Sequence, residues 1–104
     1  MITVKEIADR LGFDEEDVIV MISLMFKGLD DHLKKLNEAI QQKDFDRIFS
    51  EAHSIRGAAA NIGFETIANF CNIIENSARD KSWIDYETYY DALVDAIEDV
   101  KGII

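Results

Sequence analysis

The sequence predicts an all-α protein: an antiparallel four-helix bundle with an additional short N-terminal helix. Three observations predict it. Apolar residues recur at three- and four-residue spacing along most of the chain. No stretch alternates convincingly with period two, as a half-buried strand would. The 104 residues include no proline and only five glycines, so long helices can run unbroken. A chain of this length is the size of one domain, expected over residues 1–104, with one core. It should fold without disulfides or metal, and its single cysteine, Cys71, has no internal partner.

Thr3 can cap a short helix over about residues 3–11, with Val4, Ile7, Ala8 and Leu11 on its apolar side and Gly12 as its stop. Asp14 then opens a long helix over about 14–42. Glu15, Glu16 and Asp17 sit in its first turn, where carboxylates complement the helix dipole. Its stripe is Ile22, Met25, Phe26, Leu29, Leu33, Leu36 and Ile40. Gly28 interrupts this helix at a cost of about 1 kcal/mol against Ala, which close packing there would offset.

Asp44 caps a helix over about 44–62, with Phe45, Ile48, Phe49, Ala52, Ile55, Ala59 and Ile62 on one side and Gly63 as its stop. The next helix, about 65–79, turns Ile67, Phe70, Cys71, Ile74 and Ala78 inward. Its Glu75 and Arg79 have the spacing of an exposed i,i+4 ion pair. Ser82 or Asp85 starts the last helix, about 85–101, with Tyr86, Tyr89, Tyr90, Leu93, Ile97 and Val100 inward.

Composition narrows the partners. Asp and Glu number 21 against 11 Lys and Arg, a net charge of −10. Such a surface repels nucleic acid and anionic membranes. No apolar run approaches the roughly 20 residues of a membrane span, and the first residues lack a signal-peptide core. A cytoplasmic protein with protein partners is expected. The chain is too short for a nucleotide-binding enzyme. It contains no G-x-S-x-G elbow and no phosphate-binding G-x-x-x-x-G-K-[ST] loop.

The segment from His53 to Gly63 is the informative one. His53 falls roughly 120° from the middle of its helix's apolar stripe, so it should be at least partly exposed. Arg56 lies at i+3, Gly57 at i+4, and Ser50 and Ala60 on the same ridge. An imidazole titrates near 6.5, so at pH 7 one ring nitrogen usually keeps its lone pair and can act as a nucleophile. Phosphoryl transfer needs positioning and charge stabilisation more than covalent help. Arg56 is placed to contact a phosphoryl group on His53, although as a helix cation it could equally pair with Glu51 or another acid. Gly57 costs helix stability, and either tight internal packing or access for another protein's active site would explain it.

These residues carry a resemblance. His53-Ser54-Ile55-Arg56-Gly57-Ala58-Ala59-Ala60-Asn61-Ile62-Gly63 resembles the signature of the histidine-containing phosphotransfer (HPt) family. Ala52 fits it too, as does the run from Phe70 to Arg79, so residue-level similarity spans about 51–79. The resemblance implies a helical bundle with His53 as phosphoacceptor. His53 would take a phosphoryl group on Nε2 from an aspartyl phosphate of a receiver domain and pass it on. It implies that Arg56 supports the phosphoryl group, at a position where the family usually has Lys, and that Gly57 clears access for the receiver. The implied partners are response-regulator receiver domains and possibly a hybrid histidine kinase. The Mg²⁺ would sit in the receiver, so no cofactor is expected here.

Other residues have plainer readings. His32 sits at the edge of a stripe, and two histidines with one thiol are too few for an obvious transition-metal site. Cys71 reads as a buried, inert thiol. Ile7 and Leu11 are candidate docking residues beside the His53 surface. The chain is expected to work as a monomer. The rival reading is a helical adaptor that binds a signalling protein and is never phosphorylated.

Overall fold

In the computed structural model, which describes residues 2–104, every element is an α-helix. No strand occurs among the described residues. The helices are α1 (Val4–Leu11), α2 (Glu15–Gln41), α3 (Phe45–Ile62), α4 (Glu65–Arg79) and α5 (Tyr86–Lys101). The all-α class follows from the apolar spacing because each helix turns one stripe inward.

Side-chain caps start three of the helices. The Glu6 N–H donates to Thr3 Oγ1, the Arg47 N–H to Asp44 Oδ1 and the Thr88 N–H to Asp85 Oδ1, each at 3.2 Å. Asp85, not Ser82, therefore caps α5. Asp14 occupies the N-cap position of α2, but its side chain makes no capping bond.

Four of the five helix ends share one device. Gly12 and Gly63 close α1 and α3 in the left-handed region, with φ of 73° and 96°. Lys43 and Lys81 take the same conformation after α2 and α4, both at φ 54°. At the end of α4 the Ser82 N–H donates to the Ser77 carbonyl at 2.9 Å, and the Lys81 N–H to Ala78 at 3.0 Å. At the end of α2 the Asp44 N–H donates to Ala39 at 3.0 Å, and the Lys43 N–H to Ile40 at 3.1 Å. These paired bonds satisfy carbonyls that a helix end otherwise leaves open.

The longer helices close a ring: α2 packs on α3 and α5, and α4 packs on α3 and α5. α1 lies against α2. The body measures 42 × 19 × 19 Å. Ile22, Leu29, Ile48, Ile55, Ile74 and Leu93 are among the fully buried side chains at its centre. Phe45, Phe49, Phe70, Tyr89, Tyr90 and Val100, expected inward, are only partly buried at the margins. Gly28 departs from expectation. It is exposed, and no atom lies within 4 Å of where its Cβ would stand, so close packing does not explain it.

Candidate functional site

Helix α3 buries Ile48, Ala52, Ile55, Ala59 and Ile62 and turns His53 outward on its other side. The His53 side chain is 57% exposed. Its ring stacks on Phe49, one turn earlier, with centroids 5.9 Å apart and planes 13° apart. A carboxylate from α4 holds the ring from behind: Glu75 Oε1 lies 2.7 Å from His53 Nδ1.

Glu75 is the residue the sequence reading misplaced. It forms no exposed pair with Arg79. It is 5% exposed and faces α3, while Arg79 donates to Asn76 Oδ1 at 2.8 Å and lies 3.9 Å from Asp80. A signal was present in the sequence. Glu75 follows Cys71 by four positions and Ile74 by one, so helical spacing puts it on the inward side of α4. An acid there needs a charged or hydrogen-bonding partner from a neighbouring helix.

Arg56 is that partner, one turn along α3 from His53. Its Nε donates to Glu75 Oε2 at 2.5 Å and its Nη2 to Oε1 at 3.3 Å. Arg56 therefore pairs with Glu75 and not with Glu51. Glu51 Oε2 instead lies 2.7 Å from Nδ1 of His32, which sits at the boundary of α2 as expected.

The charges fix the histidine tautomer. Burial pushes the Glu75 carboxyl up, but hydrogen bonds from Arg56 and His53 outweigh it and hold the group below the ordinary carboxylate value. An ionised Glu75 only accepts, so Nδ1 must carry the proton and donate to it. Arg56 Nη2, 3.0 Å from Nδ1, is then a second donor facing the same carboxylate. With Nδ1 protonated, the neutral ring keeps its lone pair on Nε2, and this assignment rests on the hydrogen-bond network.

The ridge around His53 is low. No atom lies within 4 Å of where a Cβ on Gly57 would stand, so internal packing does not account for this glycine. Ser50, Ser54, Ala60 and Asn61 are exposed beside it. The two expected docking residues on α1 fare differently. Ile7 is fully buried, because α1 turns its apolar face to the bundle, and Leu11 is half-buried. The two most exposed of the large hydrophobic side chains are instead Leu24, at 66%, and Val20, at 59%, both on α2.

His53, Arg56 and Gly57 thus share one surface, with Glu75 beneath it. The family model for the Hpt domain matches residues 20–102, from within α2 to just past the end of α5. The chain belongs to the Hpt domain family. No curated protein and no solved structure matches it. An Hpt domain implies a part in histidine phosphotransfer within a two-component phosphorelay. Hpt domains interact with receiver domains and histidine kinases. α1 lies outside the matched residues. Among the described residues, no helix is long and apolar enough to cross a membrane, and no three His, Cys, Asp or Glu side chains cluster to hold a metal ion.

Proposed function

We propose that His53 is the phosphoacceptor of this Hpt domain and that it carries a phosphoryl group between receiver domains. Nε2 attacks the phosphorus of a receiver's aspartyl phosphate. The N–P bond forms, the P–O bond to the aspartate breaks, and the carboxylate leaves with the bonding electrons. No proton must leave Nε2, because its lone pair is free. The ring becomes cationic, and its Nδ1–H already faces an ionised carboxylate. The reverse sequence delivers the group to a second receiver, with the metal ion supplied there.

The observation that carries this reading is the Glu75–His53 bond at 2.7 Å, behind a ring that is 57% exposed. It orients the nucleophile without covering it. Arg56 serves as the cation for phosphoryl oxygens: its Nε and Nη2 face Glu75, which leaves Nη1 to reach them. Gly57 and the small residues beside it leave room for a receiver's active site. Leu24, Gly28 and His32 follow one another at four-residue steps along α2, and His32 reaches α3 through Glu51. The exposed Leu24 on α2 supplies apolar area for docking. The protein acts as a cytoplasmic monomer alongside its receiver and kinase partners.

The test mixes the protein with a receiver carrying labelled aspartyl phosphate. Wild type is expected to acquire acid-labile, base-stable label, and His53→Gln none. Equal labelling of the variant would remove His53 from the reaction. Receiver binding indifferent to His53→Gln, with no label on either protein, would support the adaptor.

A further inference from the structure

We propose that a groove walled by α1, α4 and α5 docks a short, basic amphipathic helix of a partner protein. The groove encloses about 860 Å³. None of its lining residues belongs to the His53–Arg56–Glu75 cluster. Its floor is apolar: Ile67 and Ala96 are buried, and Phe70 and Val100 are half-buried with their remaining surface open. Its rim is acidic on all three walls, with Glu6 from α1, Glu65 from α4, and Asp95 and Asp99 from α5.

None of these four carboxylates forms an ion pair among the described residues. The one cation in the lining, Arg10, sits at the α3 end of the groove against Gly63, its Nη1 3.5 Å from the Ile62 carbonyl, and pairs with none of the four. An apolar floor inside a rim of four carboxylates and one guanidinium complements an apolar stripe flanked by Lys or Arg. It disfavours nucleic acid and lipid phosphates. A second copy of this chain, itself at −10, is also repelled.

The dimensions fit a helix. Along α5 the lining runs from Ala92 through Asp95 and Ala96 to Asp99 and Val100. At 1.5 Å per residue this is about 12 Å, or roughly two helical turns. An occupant would place apolar anchors at i, i+4 and i+7 on the floor, with basic residues toward both rims. One wall is α1, outside the residues matched by the family model, so this groove is not built from the shared domain alone.

The experiment titrates ¹⁵N-labelled protein with a capped synthetic helix of about 18 residues, Leu at the anchor positions and Lys elsewhere. The control peptide carries Glu in place of Lys. The Lys peptide should shift amides within 65–70 and 92–100, with affinity falling as salt rises. Asp95→Lys with Asp99→Lys should weaken it by about tenfold or more, some 1.4 kcal/mol. Glu15→Lys with Glu16→Lys, the same charge change on α2, should weaken it by less than about twofold. His53→Gln should bind the peptide as wild type does, which separates this proposal from the phosphoacceptor reading. Absent binding, shifts scattered over the acidic surface, equal weakening by the two double variants, or equal binding of the Glu peptide would each overturn it.

Discussion

At the residue scale, Glu75 does two jobs through one side chain. It is buried, so its charge must be matched, and Arg56 matches it. It also accepts the His53 Nδ1–H, which leaves Nε2 as the nucleophilic nitrogen. Replacing it with Gln keeps the shape and removes the charge. We expect Glu75→Gln to slow phosphoryl transfer from a receiver by about 10- to 100-fold, by analogy with metal-bound histidines that lose their orienting carboxylate. Circular dichroism should stay helical. Stability should fall by about 1–3 kcal/mol at pH 7, because Arg56 loses its partner. The pH dependence has a definite sign. The folded carboxyl lies below its unfolded value, so its contribution is complete above the unfolded value of about 4.3 and is lost as pH falls through the folded one. The stability gap between wild type and variant should therefore be widest near neutrality and shrink as pH falls below the unfolded value, as read from urea midpoints. A gap independent of pH would refute the ionised pair. The sequence made His53, Arg56 and Gly57 legible because they lie within one turn of each other. Glu75 was harder to place because it is 22 positions from His53, and only the packing of α4 on α3 brings the two together.

At the element scale, the helix ends separate what local sequence can say from what it cannot. Thr3, Asp44 and Asp85 are legible caps, and Gly12 and Gly63 legible stops, because those residue types suit those conformations. The ends of α2 and α4 use the same left-handed turn with lysine, and no residue type marks it. A left-handed lysine costs about 1–2 kcal/mol relative to its ordinary conformations, while its Cβ-free replacement avoids that strain. Lys81→Gly should therefore raise stability by about 0.5–1 kcal/mol after the extra unfolded-state entropy of glycine is subtracted. Lys81 suits this test better than Lys43, whose Nζ lies 5.7 Å from the Trp83 ring centroid and would lose that contact. The measurement is the urea midpoint, and a lowered midpoint would show that the turn carries no strain. Gly63 is a different case. A Cβ there would strain the backbone and overlap the Arg10 guanidinium, and since that flexible side chain can move aside, conformation fixes this stop.

At the scale of the whole molecule, the stripes read from the sequence close into a ring, and Cys71 shows how tightly. It is fully buried on α4, the helix that packs against both α3 and α5. The spacing told which residues turn inward. It did not tell which helix each stripe would meet, because a 3.6-residue period carries no information about neighbours. Burial, the largest effect, pushes the Cys71 thiol up to about 12. At pH 8 that leaves about one thiolate in ten thousand, against roughly a quarter for a free thiol at 8.5. Alkylation by iodoacetamide should thus be at least about a thousandfold slower in the native protein than in urea. The residual rate reports how the ring opens. To expose Cys71, α4 must leave two partners at once, and its departure also separates Glu75 from His53 and Arg56. Opening should then be global, so the alkylation rate should rise with urea along the same slope as unfolding followed by circular dichroism. A rate flat in urea would mean that α4 frays by itself, and that the Glu75–His53 bond opens far more often than the fold does.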